Sequence, residues 1–525
     1  MSEEKNVKNS QTERNVNTKQ VSKEREDIKV IRQIILFLIL GIVCMLGYPL
    51  FEQTTRIYRA ELPTHEIETN FKEFNERIYY QVPVFLNAPS AWKEYMPRIQ
   101  SAVDSKIGER YPNLKDIWSL ELHLNERNAT LEDNYTLEVE YLPHPDSEYE
   151  DYPLESFFVS PYSKATKIRI TDHAAISKKS EDFIAHVLID GIFSEELDSL
   201  TRLVQDIYSD EITVPYSSKY NVVFSLMVES GKKLSWDFKD SIDLFSPIFS
   251  RLSPFANFSV STQTQYYSNL KFAPDFRPDY NKKVWKNGAY VISEAELSTF
   301  VNYGDWNLFS HDIHPTINFI IYVPDSYDDK PLIIENSQTN SFLIPRWGGV
   351  YIYNKKANVE ELTEQELLPL MEIFSSHLAQ LLGLPKNPVS PMIKMDILFR
   401  TSTYRNLKQA MENLDALVKL TNSLKEISIP KKTKDYVTKS LEYFELSLNE
   451  LQKGDFGLAV EYSSRSFESS NKAFFEKEMV QQAYFPSEHR LAVFLPLLGP
   501  VFSIMLLGLI KYIQENKKAS KEKAD

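Results

Sequence analysis

Two long apolar runs, one near each end, constrain this chain more than any other feature. Ile34 to Phe51 (IILFLILGIVCMLGYPLF) and Leu491 to Ile510 (LAVFLPLLGPVFSIMLLGLI) contain no charged side chain. As helices rising about 1.5 Å per residue they reach roughly 27 and 30 Å, enough to cross the hydrocarbon core of a bilayer. A cleaved leader describes the first run poorly, because a polar stretch precedes it and large residues close it. Lysine and arginine then set the orientation. Lys19, Lys23, Arg25, Lys29 and Arg32 precede the first run, and Lys511, Lys517, Lys518, Lys521 and Lys523 follow the second. Both tails are therefore expected in the cytosol, with everything between the spans on the lumenal side.

The expected organisation is a cytosolic tail (1–33), a first transmembrane helix (34–51), a lumenal α/β domain (52–396), a lumenal helical segment (397–487), a second transmembrane helix (488–513) and a cytosolic tail (514–525). Three sequons, at Asn128, Asn134 and Asn257, lie in the segment assigned to the lumen and are glycosylation candidates. Lys521 and Lys523 stand five and three residues from the C-terminus, the spacing of a dilysine retrieval signal.

Cys44 is the only cysteine and falls inside the first apolar run. The segment between the runs can form no disulfide and carries no thiol nucleophile, so a hydrophobic core must hold it together. The chain's net charge is −14. Both tails are net basic, which leaves the central segment more acidic than the whole and unsuited to nucleic acid. Part of that charge sits in HPDSEYEDYPLES (144–156), read as a solvated loop.

Between about 55 and 395 the pattern predicts a mixed α/β domain with a partly antiparallel sheet. Residues 165–171, 220–228, 317–325, 331–335 and 348–354 are rich in Val, Ile, Tyr and Phe between turn residues, as strands are. Short connectors join the last three, which predicts an antiparallel meander. Residues 180–193 and 238–252 read as helices. Thr363 and Glu366 form a capping box for another, with Gly383 and Pro385 as its stop and Pro369 as a misfit inside it. Past 398 apolar residues recur at three and four on Leu407, Met411, Leu414 and Val418, then on Val437, Leu441, Phe444, Leu448 and Leu451. With Pro430 and Gly454-Asp455 as breaks, three antiparallel helices follow, either as a stalk or packed on the sheet.

No motif for chemistry stands out. There is no Gly-x-Ser-x-Gly elbow, no His-Glu-x-x-His, no phosphate loop and no Asp-x-Asp pair. His311, Asp312 and His314 could begin a metal site but lack a third ligand of suitable spacing, so they read as turn residues and no metal or cofactor is assigned. The tandem Gly348-Gly349, among only 14 glycines in the chain, marks a place where the backbone turns or is closely approached. Pro345, Arg346 and Trp347 lead into it, and the five residues together are candidates for a structural corner that presents an interface. Pro496 and Pro500 predict a bend or fraying in the second span and are interface candidates as well.

Four stretches, SPFANFSVSTQTQYYSNL (253–270), HPTINFIIYVP (314–324), PRWGGVYIYN (345–354) and YFPSEHRLAVFLPLLGP (484–500), together with the two-span layout, resemble the PIG-S family. That family is a subunit of the glycosylphosphatidylinositol (GPI) transamidase of the endoplasmic reticulum. The resemblance implies a non-catalytic role in assembly and substrate access while GPI anchors are attached to proprotein C-termini. The nucleophilic cysteine would then belong to a PIG-K-like protease partner. It implies the other transamidase subunits and membrane lipid as partners, with GPI lipid and the proprotein as substrates nearby, and it transfers no catalytic motif. The alternatives are a lumenal receptor or tether unconnected with GPI, and a metal-dependent lumenal hydrolase built on His311, Asp312 and His314.

Overall fold

The computed structural model describes residues 28, 30–42, 45, 58–125, 133–141, 156–170, 177–207, 212–236, 238–243, 245–281, 284–285, 287–301, 314–325, 330–355, 359–424, 427–479 and 488–521. They fall into two compact units: Pro63–Leu417 with Asp435–Phe474, and Met1–Leu62 with Val418–Lys434 and Phe475–Asp525.

The larger unit is built on two five-stranded sheets. In the first, β1 (Tyr80–Asn87), β2 (Trp118–Leu124), β3 (Tyr135–Tyr141), β4 (Ser156–Val159) and β5 (Ala165–Ile170) lie in the order β2-β1-β3-β5-β4. Four strands are parallel, and β4 returns antiparallel along β5. In the second, β6 (Lys219–Val228), β7 (Asn257–Tyr266), β8 (Thr316–Val323), β9 (Ser341–Ile344) and β10 (Gly348–Ile352) lie in the order β7-β6-β8-β10-β9. Here too β7, β6, β8 and β10 are parallel, and β9 closes the edge as an antiparallel hairpin arm. The two sheets share one strand order and one hairpin position.

This corrects the expected meander. Residues 317–325 and 348–354 are neighbours, but parallel ones. The chain between them leaves the sheet: Leu332–Ile334 joins a separate three-stranded sheet with Ala289–Ile292 and Asp275–Arg277, and β9 then doubles back onto β10. The physical clue lies in β8, whose TINFIIYV is buried almost throughout. A continuous apolar run is what a central parallel strand covered on both faces requires.

Other expectations hold with small shifts. After helix α1 (Met96–Arg110), residues 180–193 form helix α2 (Lys178–His186), running on as a π-helical turn over Val187–Ile192. Residues 238–252 form two short helices, Phe238–Ile242 and Ser246–Leu252, with Pro247 in the first turn of the second. The predicted capping box opens α4 (Glu364–Leu382), where Thr363 N donates to Glu366 Oε2 at 3.0 Å. Gly383 ends the helix at φ 85° and Pro369 is accommodated inside it.

Three long helices follow: α5 (Pro391–Ser423), α6 (Lys431–Lys453) and α7 (Phe456–Phe474). Asp455 caps the last, its Oδ1 accepting from Leu458 N at 2.9 Å. They are no free stalk. Within the larger unit, Tyr80 Oη in β1 donates to the Arg400 carbonyl of α5 at 3.1 Å. Buried serines bring α6 and α7 close, with Ser440 Oγ donating to Ser466 O at 2.9 Å and Ser447 Oγ to Ala459 O at 2.7 Å.

In the smaller unit, Arg59 donates to three carbonyls at the end of α5, those of Thr421, Leu424 and Ile427, at 2.6, 3.1 and 2.8 Å. The first apolar run is helical over 30–42, and the second lies in α8 (Glu488–Lys521). α8 passes through Pro496 and Pro500 without a break, so the fraying expected there does not occur. Among the described residues no helix is long and apolar enough to cross a membrane. Residues 43–44 and 46–51 and many side chains of 491–510 lie outside the described set. The two-span layout thus rests on the apolar runs themselves.

Candidate functional site

The corner at 345–349 is a place of backbone contact. In the β8–β10 ladder Asn318 stands opposite Gly348 and Phe319 opposite Gly349. A Cβ on Gly348 would sit 1.8 Å from the Asn318 carbonyl oxygen, so no side chain fits. A Cβ on Gly349 would come within 2.3 Å of His377 Nδ1, on α4. The first glycine lets two strands meet, and the second makes room for an imidazole. Trp347 packs on the cluster that includes Ile320, Tyr322 and Val350, which makes it part of the core edge and not a free anchor. Pro345 and Arg346 remain exposed.

His377 is 8% exposed, and its Nδ1 has no hydrogen-bond partner. Burial holds its pKa down at about 4, so the ring is neutral at ordinary pH.

Arg346 has φ 59°, the left-handed region, and its N–H donates to Ile212 O at 2.9 Å. Beside it a cleft of about 430 Å³ is lined also by Arg202 of α3 (Ser194–Val204), Arg405 and Gln409 of α5, and Tyr216 and Phe467. Burial pushes the Tyr216 phenol up to about 12, so it too is neutral.

The remaining sequence candidates are scattered. Asn257 is exposed at the start of β7, and Asn134 is half-buried just before β3. Asn128, His311, Asp312 and Lys523 lie outside the described residues, and Lys521 is the last residue of α8. His314 lines a second cleft with Glu461, Arg465 and Glu468. Among the described residues no three His, Cys, Asp or Glu side chains are grouped to hold a metal. Pro496 and Pro500 are exposed on α8.

Sequence reasoning missed the most buried polar site. Arg400 and Glu196 are both fully inaccessible and form a two-pronged ion pair. Trp118 Nε1 donates to Glu196 Oε1 at 2.9 Å, and Arg400 Nη2 donates to Tyr135 Oη at 3.1 Å. Tyr135 Oη in turn donates to Asp396 Oδ2 at 3.0 Å, where Lys164 also pairs at 2.5 Å. Burial pushes the Tyr80 and Tyr135 phenols well above their usual range. The network joins β2, β3, α3 and α5; it is enclosed by protein and offers no opening for a substrate, so its work is structural.

Comparison with known proteins places these features in a family. The family model for the phosphatidylinositol-glycan biosynthesis class S protein matches residues 38–519. The chain is similar to the GPI transamidase component GPI17 of Saccharomyces cerevisiae, 28% identical over 520 residues that cover 93% of this chain and 92% of the relative. It is similar to the GPI-anchor transamidase component PIGS of Homo sapiens, 25% identical over 546 residues, covering 91% and 94%. The GPI transamidase component PIG-S homolog of Schizosaccharomyces pombe is 30% identical over 316 residues, covering 58% of this chain and 55% of the relative.

Proposed function

The chain belongs to the phosphatidylinositol-glycan biosynthesis class S family, and from that premise we propose that it is an accessory, non-catalytic subunit of the endoplasmic-reticulum GPI transamidase. Its place as a GPI transamidase component, working with the other subunits of that complex, is carried by one observation: the family match runs through nearly the whole chain, 38–519. The non-catalytic part is supported by composition. The one cysteine, Cys44, lies in an apolar run, so a thiol nucleophile for acyl transfer would have to come from a partner, the PIG-K-like subunit.

A two-span anchor with both tails on one side is supported within the smaller unit. Ile34, Leu38, Ile504 and Leu507 are 57%, 58%, 67% and 66% exposed, an apolar surface of the kind lipid covers. Phe37 meets Tyr512 edge-on at 5.5 Å, and Leu36 lies against Gly508. The start of the first run therefore faces the end of the second, as antiparallel spans require. With the sequons and Lys521/Lys523, this favours a lumenal body and an address in the endoplasmic reticulum.

The test is affinity purification of the chain from microsomes in mild detergent, with identification of what elutes with it. Recovery of a cysteine-protease-like subunit with further membrane subunits is expected; a folded chain that elutes alone would refute the assignment. Endoglycosidase treatment of the same material tests the topology, since a mass shift abolished by replacing Asn128, Asn134 and Asn257 requires the body to be lumenal.

A further inference from the structure

Arg346 occupies a conformation that residues with a Cβ avoid. Its φ of 59° is one that glycine adopts freely and other L-residues adopt at a cost, and two glycines stand close by, just past Trp347. Nevertheless the exposed turn carries an arginine. The hydrogen bond from its N–H to Ile212 O fixes the strained backbone, while its guanidinium makes no hydrogen bond or ion pair among the described residues. Strain held at an exposed, unpartnered side chain is a pointer to function.

Two more arginines line the same cleft. Arg202 reaches only Ser199 Oγ, at 3.3 Å, and Arg405 has no carboxylate partner among the described residues. Among the described residues no Asp or Glu lines the cleft. Several other arginines are paired, as Arg98 is with Glu181, Arg169 with Glu140 and Arg277 with Glu335, at 2.8, 2.8 and 2.6 Å. In a chain of net charge −14, three arginines line one cleft with no carboxylate beside them among the described residues; like charges in one cleft repel, and a bound anion relieves that repulsion.

We propose that this cleft binds a phosphate ester carried on a small hydroxylated group. Three planar guanidinium forks offer more donors than the two oxygens of one carboxylate can accept, whereas a phosphate ester presents three oxygens around one centre. Gln409 and Thr213 supply polar groups for the hydroxyls of the carrier, and Tyr216 and Phe467 give an apolar wall. The volume of about 430 Å³ suits a ligand of that size. The phosphate site stands on the lining of the cleft, whereas the choice of an inositol carrier rests on the proposed transamidase role. The phosphate ester could be soluble or the headgroup of a lipid.

Full-length chain purified in detergent is titrated calorimetrically with inositol 1-phosphate, with phosphatidylinositol in mixed micelles and with a polyglutamate peptide. Binding of one of the first two is expected, and the tighter one names the source. Arg346→Gly removes the guanidinium and relaxes the backbone, so affinity should fall about tenfold or more with the melting temperature kept or raised. Arg405→Gln, whose backbone is ordinary helix, should weaken binding similarly. The proposal is overturned if neither phosphate ester binds, if both variants bind as wild type does, or if polyglutamate binds as tightly with the same dependence on the arginines.

Discussion

Arg400 grips Glu196 through two parallel hydrogen bonds of 2.6 Å, Nε to Oε1 and Nη2 to Oε2, with neither side chain reaching solvent. The Phe456 ring stacks under the guanidinium, 4.6 Å from its carbon. Removing one partner strands the other charge in the core. Arg400→Leu is expected to destabilise the fold by about 3–5 kcal/mol, while Arg400→Leu combined with Glu196→Leu recovers most of that loss. Thermal or denaturant unfolding of the solubilised chain decides it; a single variant as stable as wild type would contradict the pair's role. Arg400→Lys should also fail, because an ammonium cannot reproduce the fork.

Gly348→Ala should prevent normal folding. The new methyl meets the backbone carbonyl of Asn318, which cannot move without opening the β8–β10 ladder, so the cost exceeds the about 1–3 kcal/mol of ordinary overpacking. Expression and detergent-solubility assays read this directly.

Gly349→Ala behaves differently, since its collision is with the His377 side chain. The single variant is expected to lose about 1–3 kcal/mol. Adding His377→Ala should make the double variant more stable than the sum of the two single losses implies. Strict additivity in denaturant melts would show that the imidazole is not what the alanine strikes.

His377 also predicts a pH dependence. Its folded-state pKa lies at about 4, below the ordinary 6.5, so the unfolded chain binds the proton more readily. Stability is therefore complete above about pH 6.5 and falls as pH drops toward 4, by up to about 3 kcal/mol. Carboxylates titrate in the same range, so the measurement is a difference: His377→Leu should show a shallower loss between pH 6.5 and 4 than wild type. Parallel curves would refute the burial of a neutral ring.

Arg59→Ala removes the donors to three carbonyls at the end of α5. A loss of about 1–2 kcal/mol is expected, confined to the smaller unit. Limited proteolysis should then cut more readily within 418–434, with the larger unit intact.

The sequence made legible whatever is encoded within a few neighbouring residues. The box at Thr363 and Glu366, the stop at Gly383 and the cap at Asp455 are local hydrogen-bonding devices, and each is where its residues say. Strand direction is not local. It depends on where the chain goes after Val323, and 331–335 went to another sheet. The buried pair did leave a trace that was passed over. Ile393, Ile397, Tyr404 and Leu407 form an apolar stripe on α5, and Arg400 sits within it; Glu196 stands likewise among Phe193, Leu197 and Leu200. A charge at a core position of an amphipathic helix asks for a buried partner. The arginine cleft left no such trace, because Arg202, Arg346 and Arg405 come from segments far apart in the chain.

The shared order of the two sheets, β2-β1-β3-β5-β4 and β7-β6-β8-β10-β9, has a practical corollary. Both begin in equal step, Tyr80 opposite Trp118 and Lys219 opposite Asn257. They part company in the connection from second to third strand, which is 125–134 in one and 267–315 in the other. The longer of these holds strands and a helix of its own, yet the parallel ladder on either side is undisturbed. That connection is thus a natural grafting port. A fluorescent protein or affinity tag spliced into 125–134 enters a joint that the sister sheet already loads with cargo.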